Sequence, residues 1–479
     1  MSRPILKSTA VTGVTTLLSR LTGLGRDMAI TRALGVGAYS DTFLLVYAIP
    51  NFLRRLFAEG AFSQSFVPVL SEYRQQREHG EVRELVSNTA GTLGAVLLLV
   101  SIVGVIAAPL IIYLYGNGFA YAGGNRFDMA VSMFRWVFPY VLFISLTSLY
   151  AGVLNSYQRF ALPAFTQVIQ NVVLIGAAIW VATDARIAVN SERPAMVLAI
   201  GVFISGLLQV LTLLPAVGAL KLLSWPRWKP AAEGVRRIAR LMVPGIVGSS
   251  MAQISLLLNS AIASHFFAGS ITALYLADRL MEFPLGVFSI ALGTVILPSL
   301  SAQHARQSGA EFSATLDWAL RLTVLLVAPA MIGMMFFAGP MVTAVFGFKN
   351  VSATGMRMAS WALVAYSWGV LTFSLIKVLA PGYYARQDTR TPVRAGMIAL
   401  AISMLISVGA WISSKLGFGA PFLLLATATC VSAAVNAWLL WRGLRISGVY
   451  QPSKLWRALL PRVACACLVM AVLLWWLSS

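Results

Sequence analysis

Ser19-Arg20-Leu21-Thr22-Gly23-Leu24-Gly25-Arg26-Asp27 and Pro50-Asn51-Phe52-Leu53-Arg54-Arg55-Leu56-Phe57-Ala58-Glu59-Gly60 place charged side chains inside or at the ends of two otherwise apolar segments. Asp41, at the start of the second segment, adds one more. An ionised group at the centre of a bilayer costs about 2.5 to 3.5 kcal/mol on insertion scales, so such groups usually face water or one another and mark a pathway. These two segments set the reading of the whole chain, because the chain they belong to is otherwise mostly apolar.

Across 479 residues, 58% are hydrophobic and only 11% charged. The mean hydropathy is +0.80. About a quarter of an ordinary soluble domain is charged, so this composition is that of an all-α polytopic membrane protein. The formal net charge of +20 does not indicate nucleic acid, because the cations punctuate apolar runs. Cys430, Cys465 and Cys467 lie in apolar stretches without metal-ligand or disulfide spacing and read as small packing residues. The opening segment has no small-residue cleavage site and reads as a retained helix.

Taking about 20 apolar residues per crossing, the sequence predicts thirteen spans: 8–34, 39–70, 84–114, 129–154, 161–183, 194–221, 236–266, 271–301, 312–338, 352–381, 392–414, 419–443 and 456–478. With a cytoplasmic N-terminus, alternate connections collect most of the basic residues, including Arg74, Arg77 and Arg83, the run from Lys221 to Arg240, and Arg442 to Arg457. That asymmetry sets the expected orientation.

Comparing the chain with itself near an offset of 230 pairs Pro68 with Pro298, Ser145 with Ser374, Gln158 with Gln387 and Pro163 with Pro392. Six spans separate the members of each pair, so two six-helix lobes of equal orientation are expected, related by a pseudo-two-fold along the membrane normal. The divisions expected are 1–222, 223–446 and an extra C-terminal helix in 447–479. A helix broken at Gly23 and Gly25 is weighed equally with an unbroken one, and Pro139 and Pro329 read as simple kinks.

Within the second span Arg55 and Glu59 are four apart and are expected to pair, whereas Arg54 points about 100° away. In the eighth, Asp278, Arg279 and Glu282 form a similar group, with Arg279 and Glu282 three apart. Mutual neutralisation that locks helices together is one reading. The other is a cationic cavity lined by Arg20, Arg26, Arg54 and Arg279, whose guanidinium forks match phosphate oxygens. The residues alone lead to an exporter or flippase for a phosphorylated amphiphile. An enzyme is not expected: His79, His265 and His304 are scattered, and no Gly-Lys-Ser/Thr phosphate loop is present.

The two segments quoted above, with the run continuing through Val67-Pro68, together with Ala277-Asp278-Arg279-Leu280-Met281-Glu282-Phe283-Pro284 and Leu379-Ala380-Pro381-Gly382-Tyr383-Tyr384-Ala385-Arg386-Gln387-Asp388, resemble the MurJ (MviN) lipid II flippase family over nearly the whole chain. The resemblance implies a fold of the multidrug and oligosaccharidyl-lipid exporter superfamily. It also implies transport of lipid II, the undecaprenyl-pyrophosphate-linked disaccharide-pentapeptide, from the cytoplasmic to the periplasmic leaflet of the bacterial inner membrane. It places the substrate arginines on Arg20, Arg26, Arg54 and Arg279, with Asp27, Asp41, Arg55, Glu59, Asp278 and Glu282 gating or supporting. Membrane lipids and the cell-wall synthesis machinery are the partners implied, with a monomer, no nucleic acid and no cofactor. A coupling ion (sodium, proton or chloride) is left open, Asn259 and Asn436 being the polar residues noted for one. Such proteins usually have fourteen spans, so a fourteenth is expected to be missing after Ser479. The alternative is a related exporter of another polyprenyl-pyrophosphate-linked saccharide or of drugs.

Overall fold

The computed structural model describes residues 3–54, 61–121, 125–184, 192–286, 290–417 and 419–478. Among them the regular structure is helical, as it must be where lipid offers the backbone no hydrogen-bond partner. Among the described residues, eight helices are long and apolar enough to cross a membrane. The pair Ala353–Ser367 and Gly369–Tyr384, bent by 43°, brings the number to nine. These match nine of the thirteen expected spans. The other four coincide with Arg3–Leu34, with Ala38–Arg54 and Ala61–Gln76, with Glu233–Ala263, and with Ser270–Pro284 and Ile290–Ala305. They are the spans that carry Arg20, Arg26, Asp41, Arg54, Arg237 and Arg279. The chain is a multi-pass membrane protein.

Packing divides it into two compact units, Met1–Ser264 and His265–Ser479. The division falls later than the boundary expected at residue 222, because Glu233–Ala263 packs against Ala61–Gln76 and Ala38–Arg54 of the first unit.

The elements of the two units repeat. Helices His79–Ile106 and Ala108–Tyr115 meet at Ala107; Gly309–Phe336 and Ala338–Phe346 meet at Phe337, and the first helix of each pair has 28 residues. A second interrupted pair follows in each unit, Arg126–Val137 with Tyr140–Ser156, and Ala353–Ser367 with Gly369–Tyr384. In the first unit the interruption is at Phe138–Pro139, where proline supplies no backbone donor, whereas Pro329 lies inside the continuous helix Gly309–Phe336. In the second unit a Cβ on Gly369 would sit 2.4 Å from Cys430 Sγ, so glycine is needed for that close approach.

The turns repeat too: Gln158 and Gln387 both take φ of 59°, an uncommon value for a residue with a side chain. Asp388 then caps the next helix by accepting from the Arg390 and Thr391 amides and the Thr391 hydroxyl. Led by the Thr391 hydroxyl, those bonds hold its carboxyl below the usual carboxylate range.

Each unit's core uses the same positions. Phe66, Leu70, Val82, Val86, Leu149 and Val210 are buried together in the first unit. Ile296, Leu300, Phe312 and Leu316, 230 residues further on, and Val378, 229 on from Leu149, are buried together in the second, with Leu439, 229 on from Val210, packed against them. Outward faces are apolar as well. On Trp456–Ser478, Leu468, Val472, Leu473 and Trp476 are all more than half exposed, as suits a helix against lipid.

Candidate functional site

Helix Arg3–Leu34 runs unbroken through Gly23 and Gly25, so the helix break held open by the sequence does not occur. A Cβ at Gly23 would lie 3.7 Å from Asn171 and one at Gly25 3.8 Å from Ile175, both ordinary contacts. The two glycines therefore face helix Ala161–Thr183, and no clash demands them.

On the adjoining turn Arg26 and Asp27 are buried, at 6% and 2% exposure. Arg26 donates to Asp27 Oδ1 from Nε at 2.9 Å and from Nη2 at 2.6 Å. Its Nη1 donates to Asn171 Oδ1 at 3.2 Å and to the Tyr47 hydroxyl at 3.4 Å. Asn171 is itself oriented, giving its amide hydrogens to Ser19 O at 3.1 Å and Thr22 Oγ1 at 3.0 Å. Gln170 Nε2 donates to the Tyr47 hydroxyl at 3.3 Å, and Gln167 Nε2 donates to Gln170 Oε1 at 2.8 Å. One buried cation is thus fixed by three helices, with its charge opposed by the next residue in sequence. Removing one member of such a pair strands the other at a cost of about 3–5 kcal/mol.

The remaining expected residues fall into different settings. Arg20 is exposed on the face of its helix. Arg54 is half-buried and donates from Nε at 3.2 Å and Nη2 at 3.1 Å to Asn51 Oδ1, so it is held against its own helix. Tyr140, buried in the same unit, lies within electrostatic reach of Tyr47, Arg54 and Arg26. Asp41 is buried at 2%. Arg55 and Glu59, with their expected pairing, lie outside the described residues.

In the second unit Arg279 pairs with Glu282 at 2.7 Å, as the three-residue spacing predicts, and its guanidinium sits 5.0 Å from the Tyr275 ring centre. Asp278 is half-buried, within reach of Tyr366 and Cys430. Among the described residues no group of three or more His, Cys, Asp or Glu could hold a metal ion.

Sequence reasoning missed Tyr47, Asn171 and Gln170, although Gln167, Gln170 and Asn171 mark one face of an otherwise apolar helix at three- and four-residue spacing. It also missed Asp317. That carboxylate, 2% exposed, accepts from Trp456 Nε1 at 2.6 Å, Ser453 Oγ at 2.7 Å, the Tyr450 hydroxyl at 2.9 Å and Arg321 Nε at 2.9 Å. Burial and the neighbouring carboxylate push the Tyr450 hydroxyl well above its ordinary value. The cluster is saturated, and it ties the start of the last helix to Gly309–Phe336.

The sequence profile of the family described as "Lipid II flippase MurJ" matches residues 30–479. A Vibrio cholerae protein named probable lipid II flippase MurJ is 42% identical, the match covering 100% of this chain and 90% of that one. A Burkholderia cenocepacia protein named lipid II flippase MurJ is 40% identical over 96% of this chain and 88% of its own. Among solved structures, one titled lipid II flippase MurJ, inward closed conformation, superposes with a TM-score of 0.77 at 21% identity, covering 98% of this chain and 97% of that chain. An inward-facing multidrug resistance MATE transporter of the MOP superfamily gives 0.68 at 13% identity, over 90% and 95% of the two chains, so the fold is shared more widely than the sequence. With its profile matched over most of its length and relatives at 40% identity and above, the chain belongs to the lipid II flippase MurJ family.

Proposed function

We propose that the protein carries lipid II from the cytoplasmic to the periplasmic leaflet of the bacterial inner membrane, acting as a transporter and not as a catalyst. The observation that carries this reading is the buried, three-helix setting of Arg26 in a chain of this family. A guanidinium offers paired donors that fit a diphosphate and stays charged throughout a transport cycle. Arg26 is engaged by Asp27, Tyr47 and Asn171, so a diphosphate reaching it must compete with Asp27. Arg20, exposed, and Arg54, half-buried beside Asn51, are the groups that meet the substrate first. Arg279 contributes from the other lobe, with Glu282 as its resting partner.

The N-terminus is placed in the cytoplasm by the distribution of Lys and Arg. The two lobes, built on one pattern, rock about a pseudo-two-fold along the membrane normal so that the cationic cavity opens to each side in turn. A potential of 100 mV contributes about 2.3 kcal/mol per charge moved across the membrane and biases return of the emptied cavity. The working unit is a monomer, supplied by and feeding the cell-wall synthesis machinery.

The test is exposure of lipid II on the outer leaflet in cells depleted of their own flippase. Restoration by this chain is expected; growth of unexposed lipid II despite normal membrane levels of the protein would contradict the reading.

A further inference from the structure

We propose that residues 221–232, which join the sixth and seventh spans, together with the first turns of helix Glu233–Ala263 as far as Arg240, form a membrane-surface strap that binds the headgroups of anionic phospholipids. Its backbone is fixed to the outside of helix His79–Ile106. Ser87 Oγ donates to the Trp225 carbonyl at 2.6 Å, the Arg227 amide donates to Ser87 O at 3.2 Å, and the Lys229 amide to Thr92 Oγ1 at 3.3 Å. At the crossing point a Cβ on Gly91 would lie 2.3 to 2.4 Å from the Arg227 backbone, so only glycine lets the strand lie so close. Leu222 is fully buried in the core of the first unit and anchors the upstream end. Pro226 and Pro230 keep the crossing extended and remove two amides that would otherwise need partners.

What the strap presents outward is unlike a solvent loop. Trp225 is 87% exposed and Trp228 59%, with Leu223 beside them. Indole rings are favoured where an apolar body can enter the acyl boundary while the N–H stays with headgroups. The pinning residues Ser87, Gly91 and Thr92 lie about 12 to 20 Å along the helix from its start at His79, in the N-terminal half of a helix about 42 Å long. Interleaved with the indoles are Lys221, Arg227, Lys229, Arg236, Arg237 and Arg240, against one acid within the segment, Glu233. Two of the cations are already used: Lys229 pairs with Glu84 at 3.1 Å and Arg237 with Glu72 at 2.8 Å. Lys221, Arg227, Arg236 and Arg240 are exposed and leave the patch cationic. Exposed indoles beside a surplus of cations on the outside of a membrane helix fit phosphate-bearing lipid headgroups, each surface cation contributing about 1 kcal/mol near an anionic leaflet.

The assignment to the anionic cytoplasmic leaflet rests on the orientation proposed above, but headgroup binding can be tested without it, because both faces of a nanodisc are open. The full chain is placed in nanodiscs of phosphatidylcholine with or without phosphatidylglycerol, and hydrogen exchange is followed over residues 221–232. Phosphatidylglycerol is expected to slow exchange there by about fivefold or more, the factor that about 1 kcal/mol confers. The combined Lys221→Gln, Arg227→Gln, Arg236→Gln and Arg240→Gln variant, folded to the same Tm in phosphatidylcholine, should lose that slowing. Trp225→Ser with Trp228→Ser should exchange faster in both lipids. Equal exchange in the two lipids, or slowing that survives the four glutamines, would overturn the proposal, and the second result would point to a protein or backbone contact instead.

Discussion

Helix His79–Ile106 in the first half and helix Gly309–Phe336 in the second have the same length, break in the same place and sit over cores built from matching positions. What each holds is different. In the first half Ser87 and Gly91 receive the strap through its backbone. In the second, at the same positions 230 residues on, Asp317 and Arg321 form a charged hub that grips Tyr450, Ser453 and Trp456 through their side chains. The charges of the proposed site differ likewise: 230 residues beyond Arg20, Arg26 and Arg54 stand Ser250, Leu256 and Pro284. The scaffold is doubled and the chemistry is not. A packing frame needs only apolar surface of the right shape, which tolerates exchange of Phe for Ile or Val for Leu. A buried ion pair needs every partner at once.

The sharpest way to break this pairing of halves is Asp317→Ala. It strands four side-chain donors in a buried site, at about 1–3 kcal/mol for each that water cannot reach. A clear fall in Tm and protease cleavage between residues 447 and 455 are expected; wild-type resistance would show that the last helix is held by other contacts.

Gly91→Ala should have the next largest effect, since the new methyl meets Arg227 backbone that cannot rotate aside. Overpacking of this sort costs about 1–3 kcal/mol. Faster exchange of the 221–232 amides with an otherwise unchanged pattern is the result to look for. Ser87→Ala removes one hydrogen bond at the matching position of the Asp317 hub and should cost only about 0.5–1.5 kcal/mol by denaturant titration. A loss as large as that of Asp317→Ala would mean the two fastenings are equivalent after all.

Smallest of all is Glu72→Gln. The Arg237 hydrogen bond lowers the Glu72 carboxyl pKa, yet both side chains are exposed and screened by salt. No measurable Tm change is expected at physiological ionic strength, and a reproducible drop would assign this pair a structural role.

Much of this was readable in the sequence because it rests on short-range rules. Apolar runs gave the helices, and the Arg279–Glu282 pairing followed from helical spacing. The repeat, first seen in Gln158 and Gln387, reappears as a shared backbone conformation. What was not readable depends on contacts between distant segments. Nothing local to Asn171 announces that it meets Arg26, 145 residues away, or that Asp317 meets Trp456. Gly23 and Gly25 misled for a related reason: glycine weakens an isolated helix, but here both glycines pack against Ala161–Thr183. Arg54, set apart from Glu59 by helix geometry, found Asn51 on its own helix instead.

The measurement closest to the central claim replaces Arg26 by leucine, the residue that stands 230 positions later, and reads lipid II exposure on the outer leaflet in flippase-depleted cells at matched membrane levels of the protein. Arg26→Lys runs beside it, since lysine keeps the charge opposite Asp27 while lacking the fork that reaches Asp27, Tyr47 and Asn171 together. If the first half alone supplies this guanidinium, neither variant exposes lipid II, although the lysine protein remains folded by its Tm. Wild-type exposure from the leucine variant would contradict the account.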